Sequence, residues 1–144
     1  MSEDELGIIL HREPKMEKPA LVASWSGIGN IGLLAVETLR SQLWAEELGE
    51  IEPWDFFYPK GVIIREGVLE DLTFPVNKFF CKKAGEKGLI LFLGEEQPSG
   101  NGRKGYRLAS FVLDVAEKLG CQRVYTTGAA VALTHHALKP RVWV

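Results

Sequence analysis

Two short apolar runs constrain this chain more than anything else in it. Ala20-Leu21-Val22-Ala23-Ser24-Trp25 and Leu89-Ile90-Leu91-Phe92-Leu93 are strand-length and show no alternation of apolar and polar residues. A strand with one wet face alternates; a strand covered on both faces does not. Both runs therefore predict interior strands with helices on each side, which means an α/β sheet with parallel connections. The residues after each run agree. After the first, Gly27-Ile28-Gly29-Asn30 turns the chain, with Asn30 as the expected N-cap. Ile31, Leu34, Ala35, Thr38 and Leu39 then recur at helical spacing, and Gly49 is the expected stop. After the second, a polar loop from Glu95 to Lys104 leads to an apolar stripe of Leu108, Phe111, Val112, Val115 and Leu119, closed by Gly120. Arg123-Val124-Tyr125-Thr126-Thr127 is the next expected strand.

The middle of the chain obeys a different rule. Gly61 to Arg65 and Val68 to Leu72 flank Glu66-Gly67, a two-residue hairpin signal, and Phe79-Phe80-Cys81 is expected to add a third antiparallel strand. Just before the hairpin, Trp54-Asp55-Phe56-Phe57-Tyr58 places four aromatics in five residues. Residues 1–18, charged with a short apolar patch, read as an arm or edge strand, and residues 19–144 as one α/β domain. The chain stops at Arg141-Val142-Trp143-Val144, which reads as an element cut short and predicts that the domain is part of a longer one.

Composition narrows the function classes. With 46% hydrophobic and 25% charged residues in 144, the chain can bury a core and is not a disordered one. A formal charge of −2, mixed along the sequence, offers no electrostatic attraction for nucleic acid or an anionic membrane. No apolar run approaches the roughly 18–20 residues of a membrane span. The start, Met1-Ser2-Glu3-Asp4-Glu5, is acidic, unlike a secretory or transit peptide, so a cytoplasmic location is expected. Cys81 and Cys121 are too few for a disulfide scaffold or a sulfur-only metal cage and read as reduced thiols.

Candidate chemistry is sparse. Gly27-x-Gly29-x-x-Gly32 lies between a strand and a helix, the context in which a dinucleotide pyrophosphate meets a helix N-terminus. The ribose-holding acid at the end of a second strand is missing, because Glu52 comes after Glu46-Glu47-Leu48-Gly49-Glu50, which does not read as an apolar strand. A tight turn for close helix–strand packing explains the glycines better, and no cofactor is expected. His135-His136 lacks carboxylate or thiol neighbours, so no metal site is expected. Neither Ser26 nor Ser99 sits in a Gly-x-Ser-x-Gly elbow, so no catalytic residue can be named. One spatial expectation remains. Ligands of such sheets collect beyond the carboxyl ends of the strands. Ser26, Gly27, Gly29, Asn30, Glu96, Gln97, Thr127 and Gly128 would then line one polar cleft able to take a small molecule.

The segments together resemble a known family. Trp25-Ser26-Gly27-Ile28-Gly29-Asn30-Ile31-Gly32 resembles its strand–turn motif, aromatic-x-Gly-x-Gly-Asn-Val-Gly. Trp54-Asp55-Phe56-Phe57, Gly94-x-x-Gln97-Pro98, Val124-Tyr125-Thr126-Thr127-Gly128 and Pro140-Arg141-Val142-Trp143 match further motifs in the same order. The chain is thereby similar to the proteasome-assembly-chaperone family, whose archaeal members also carry an ATP-grasp-like label. The resemblance covers residues 20–144 and implies a nucleoside-phosphorylase-like α/β fold, a mixed sheet flanked by helices with an antiparallel hairpin insertion. It implies a non-enzymatic protein that docks on protein subunits and self-associates, and that this chain corresponds to the N-terminal half of a longer domain. Aromatics dominate interface hot spots, so Trp54, Phe56, Phe57 and Tyr58 are the expected contact residues, with burial in the core the commoner fate of such a run. The alternative is a nucleotide- or nucleoside-binding enzyme using the cleft.

Overall fold

The computed structural model describes residues 7–100 and 102–144. In chain order the elements are β1 (Ile8–Leu10), β2 (Ala20–Trp25), a 3-10 turn (Ile28–Asn30), α1 (Ile31–Leu43) and β3 (Glu46–Ile51). They continue with β4 (Gly61–Arg65), β5 (Val68–Thr73), β6 (Asn77–Ala84), β7 (Lys87–Gly94), α2 (Arg103–Lys118) and β8 (Arg123–Thr126). One sheet has six strands in the order β1-β3-β6-β7-β2-β8, and β4 and β5 form a separate pair. β2 lies parallel to both β7 and β8, with Ala20 opposite Leu89 and Arg123. The other half is antiparallel: β1 on β3, β3 on β6, and β6 on β7. The sheet is thus mixed, with its parallel part built from the two unalternating runs and β8.

The helices cover opposite faces. Alternate residues of the inner strands divide between them, since successive strand side chains point to opposite sides. Leu21, Ala23, Phe79, Ile90 and Phe92 pack with Leu108, Phe111, Val112 and Val115 of α2. Leu91 and Leu93 pack with Val36 of α1, joined by half-buried Val22, Leu33 and Leu39. Each fully buried side chain of this kind contributes roughly 1.5–3 kcal/mol. The α2 stripe is the one its spacing predicts. In α1 the buried face is Gly32 and Val36, whereas Ile31, Leu34, Ala35 and Thr38, the expected core positions, are exposed. The spacing is legible there but the phase is not, because α1 has apolar residues on more than one side.

Three local expectations are corrected. First, α1 ends at Leu43 and not at Gly49. Trp44 takes the left-handed conformation (φ 53°), and the N–H of Ala45 closes the last turn on the carbonyl of Arg40 at 3.0 Å. Gly49 lies in β3, where a Cβ would come within 2.9 Å of Leu10 Cα, so it is small because its β1 partner packs against it there. Second, residues 46–50 do form a strand, held despite their charge by pairing on both sides and by buried Leu48. Its glutamates are balanced from neighbouring segments: Arg12 meets Glu46, and Lys78 meets Glu47 at 2.9 Å. Third, Phe79-Phe80-Cys81 does lie in an antiparallel strand, but in β6 of the main sheet between β3 and β7 and not beside the hairpin. Asn30 does occupy the N-cap position of α1, but in the left-handed region and without a side-chain capping bond. Residues 141–144 form no strand. The acidic start of the arm lies outside the described residues, and the apolar patch of the arm forms edge strand β1.

The hairpin is as expected. Val62 faces Leu72 and Arg65 faces Val68, with a bulge at Glu70, and Glu66 (φ 52°) and Gly67 (φ 80°) form the turn. Two positive φ values in succession are the geometry that favours the twist of a two-residue hairpin. The hairpin is tied to the main sheet through Glu95. One carboxylate oxygen pairs with Lys60, and the other accepts the N–H of Val76 at 2.8 Å. Burial pushes the Glu95 carboxyl up, but these two donors outweigh it and hold the group below its ordinary value.

The turn and the Glu95 tie can each be tested. Gly67→Val places a β-branched residue at positive φ, a cost of about 1–2 kcal/mol. Amide exchange within residues 61–73 should quicken roughly tenfold while β2 and β7 stay protected; unchanged exchange would contradict this turn. A depressed carboxyl stabilises the fold above its unfolded pKa, about 4.3 for Glu, and that contribution disappears as pH falls through the lower folded value. Acid titration followed by melting temperature should therefore be shallower for Glu95→Gln than for the natural chain below about pH 4.

Candidate functional site

Strand direction sets where the loops lie. β2, β7 and β8 run the same way, so residues 26–30, 95–99 and 127–128 all emerge at one end of the sheet. The main chain ties them together: Ser26 N–H donates to Gly94 O at 3.0 Å, and Thr127 N–H to Ala23 O at 3.3 Å. Side chains add to this. Gln97 Nε2 donates to Ser26 O at 2.8 Å, and Thr127 Oγ1 donates to Gly32 O at 3.1 Å. Buried Ser24 Oγ lies 3.4 Å from the carbonyl of Thr127. Gly27, Gly29, Asn30, Glu96, Gln97, Thr127 and Gly128 are exposed around this end, with Ser26 half-buried.

Within that set two side chains are engaged with the backbone. Gln97 and Thr127 brace neighbouring loops, and the Asn30 N–H closes the turn on Gly27 O at 3.0 Å. The glycines differ in what they do. A Cβ on Gly27 or Gly128 would meet nothing within 4 Å, whereas one on Gly32 would lie 2.6 Å from Thr127 O and 2.9 Å from Ser24 Oγ. Gly32 thus lets the first turn of α1 sit directly on the ends of β2 and β8. That is the packing role of the third glycine in a strand–turn–helix motif. Glu52 comes just after β3, which runs in the same direction as β2 but lies three strand positions away, about 14 Å at ordinary strand spacing. It does not stand beside the turn as a ribose ligand would. Among the described residues no group of three or more His, Cys, Asp or Glu is placed to hold a metal ion. His135 and His136 stack on one another with ring centroids 4.2 Å apart. The Cys81 and Cys121 thiols are pushed up by burial, the opposite of an activated nucleophile.

The aromatic segment 54–58 is divided by the fold. Phe56 and Phe57 are 2% and 8% exposed and belong to the core under α2, so they are not available as contact residues. Phe56 meets Phe111 edge-on at 5.6 Å, and Arg107 caps both rings while pairing with Asp55 at 3.1 Å. Trp54 and Tyr58 point outward, 65% and 79% exposed. Period-two reading of the run could have suggested this alternation only in part, because the two buried residues are adjacent. Sequence reasoning does not single out the outer surface of the hairpin, where Val62, Ile64, Val68 and Leu69 are all exposed. Their apolar character is visible in the sequence; that no second layer covers them is not.

Comparison with known proteins fits this architecture. A sequence model of the PAC2 family matches residues 21–143. Among solved structures, the chain is similar to PbaB of Pyrococcus furiosus, described as an archaeal proteasome activator: TM-score 0.67, 27% identity, 83% of this chain and 49% of that one. A proteasome-assembly chaperone homologue from Mycobacterium tuberculosis superposes with TM-score 0.66 at 22% identity, over 83% of this chain and 52% of that one. PbaA of Pyrococcus furiosus, an archaeal homologue of proteasome-assembly chaperone, gives TM-score 0.55 at 18% identity, over 83% and 47%. The chain spans about half the length of these structures. No curated protein matches it. With the family match running from β2 through the strand–turn–helix motif to the last residues, the chain belongs to the PAC2 family.

Proposed function

We propose that this chain is a non-enzymatic protein-binding protein with a chaperone-like role, docking on protein subunits, those of the proteasome first among them, and associating with itself in the cytoplasm. The observation that carries the reading is the outward pair Trp54 and Tyr58, held at the base of an apolar hairpin. Trp and Tyr are the residues most often found as anchors in protein interfaces. Both are held in place: Trp54 packs edge-on to Phe74 at 4.6 Å, and Lys104 lies over the Tyr58 ring at 5.5 Å. Anchors positioned before binding lose less freedom on binding. Family membership and the roles described for PbaB and the mycobacterial homologue support the same direction.

The cleft reading, a nucleotide- or nucleoside-binding enzyme, gains no support from the geometry. Gln97 and Thr127 brace loops, and Gly32 serves packing. Mixing the chain with purified proteasome subunits of its own organism should give a complex on size exclusion. Trp54→Ser with Tyr58→Ser should weaken it at least about tenfold, consistent with anchors worth more than about 1 kcal/mol each. No complex, or an unaffected one, would count against this surface. A thermal-shift series with nucleotides and nucleosides should leave the melting temperature unmoved; a rise at millimolar ligand would revive the enzyme reading.

A further inference from the structure

We propose that the outer edge of β4 pairs antiparallel with the same edge of a second copy, about a two-fold axis at Ile63. The proposal rests on the self-association part of the reading above and names its surface. Among the described residues β4 pairs only with β5, so its other edge carries unpaired backbone donors and acceptors. Val62, Ile63 and Ile64 at the middle of that edge are 55%, 40% and 63% exposed. An isolated pair of strands is only marginally stable in water, and an apolar edge is a template for another strand.

The charge pattern selects the occupant. With the axis at Ile63, each Ile63 faces its counterpart and Val62 faces Ile64 of the second copy. Gly61 faces Arg65, which leaves the long side chain room, and Lys60 faces Glu66. Glu66 makes no ion pair among the described residues. Lys60 is paired with Glu95 in its own chain and has further donors. The three aliphatics thus meet three aliphatics, and unlike charges meet at both ends. The other edge of the hairpin disfavours the same arrangement, although Glu70 there is paired with Arg65 at 3.3 Å. β5 has Glu70 and Asp71 at its centre, so a two-fold pairing there would set carboxylates against carboxylates. A strand that matches itself on one edge and repels itself on the other specifies a closed pair and not an open stack.

Sedimentation velocity of the 144-residue chain tests this with Ile63→Lys and Ile63→Glu. The natural chain should sediment as a dimer or a multiple of one. Each variant alone should fall to monomer, because like charges then face across the axis. An equimolar mixture of the two should recover the dimer, which a mere folding defect would not do. Ile63→Glu also meets Asp71 within its own hairpin, so Val62→Lys mixed with Ile64→Glu provides a second complementary pair at the neighbouring position. Association that survives in the Ile63 variants, or mixtures that stay monomeric, would overturn the β4 edge while leaving self-association standing. A natural chain that is monomeric throughout would overturn both.

Discussion

The structure depends on β2 being enclosed between two parallel neighbours. Trp25 stands opposite Gly94 of β7 and Ala23 opposite Thr126 of β8, so the three strands end together and their loops leave side by side. Close packing at those ends needs missing side chains. Gly94 accommodates the Trp25 indole, whose Nε1 would lie 2.5 Å from a Cβ there. Gly32 lets α1 start against the carbonyl of Thr127. The glycine pattern that a sequence reader associates with phosphate binding is here, at its third position, a joint between a helix and two strands.

Strand direction explains why one end of the sheet carries so much. β3 runs in the direction of β2 and β7, while β6 starts where they finish. The aromatic segment after β3, the hairpin before β6 and the loops after β2, β7 and β8 therefore converge on the same side. Glu95 links two of these groups, reaching Lys60 and the backbone of Val76. A fold arranged in this way presents its exposed loops and hairpin together, at one end of the sheet.

Much of this is legible in the sequence, and the failures have physical causes. The buried strands are readable because covering both faces removes alternation, and the hairpin because a two-residue turn demands residues tolerant of positive φ. β3 escapes a sequence reading because its glutamates are neutralised by Arg12 and Lys78 from distant parts of the chain. Gly49 reads as a helix end because a glycine made necessary by a neighbouring strand looks the same in sequence. Phe56 and Phe57 read as contact residues because composition does not distinguish an aromatic over the core from one over water. The loop cluster at the sheet end comes from strand direction alone, but the engagement of Gln97 and Thr127 with backbone carbonyls is a property of the folded chain that no local pattern encodes.

The strand–turn–helix glycine motif is, at Gly32, a packing joint between a helix and two strands. Gly32→Ala tests it most directly, with melting temperature and amide exchange measured in the absence of any ligand. Overpacking against a backbone carbonyl should cost about 1–3 kcal/mol, a fall of several degrees for a domain of this size. Exchange should quicken at the start of α1 and along β8. An unchanged melting temperature with unchanged exchange would contradict the claim and return the motif to ligand binding.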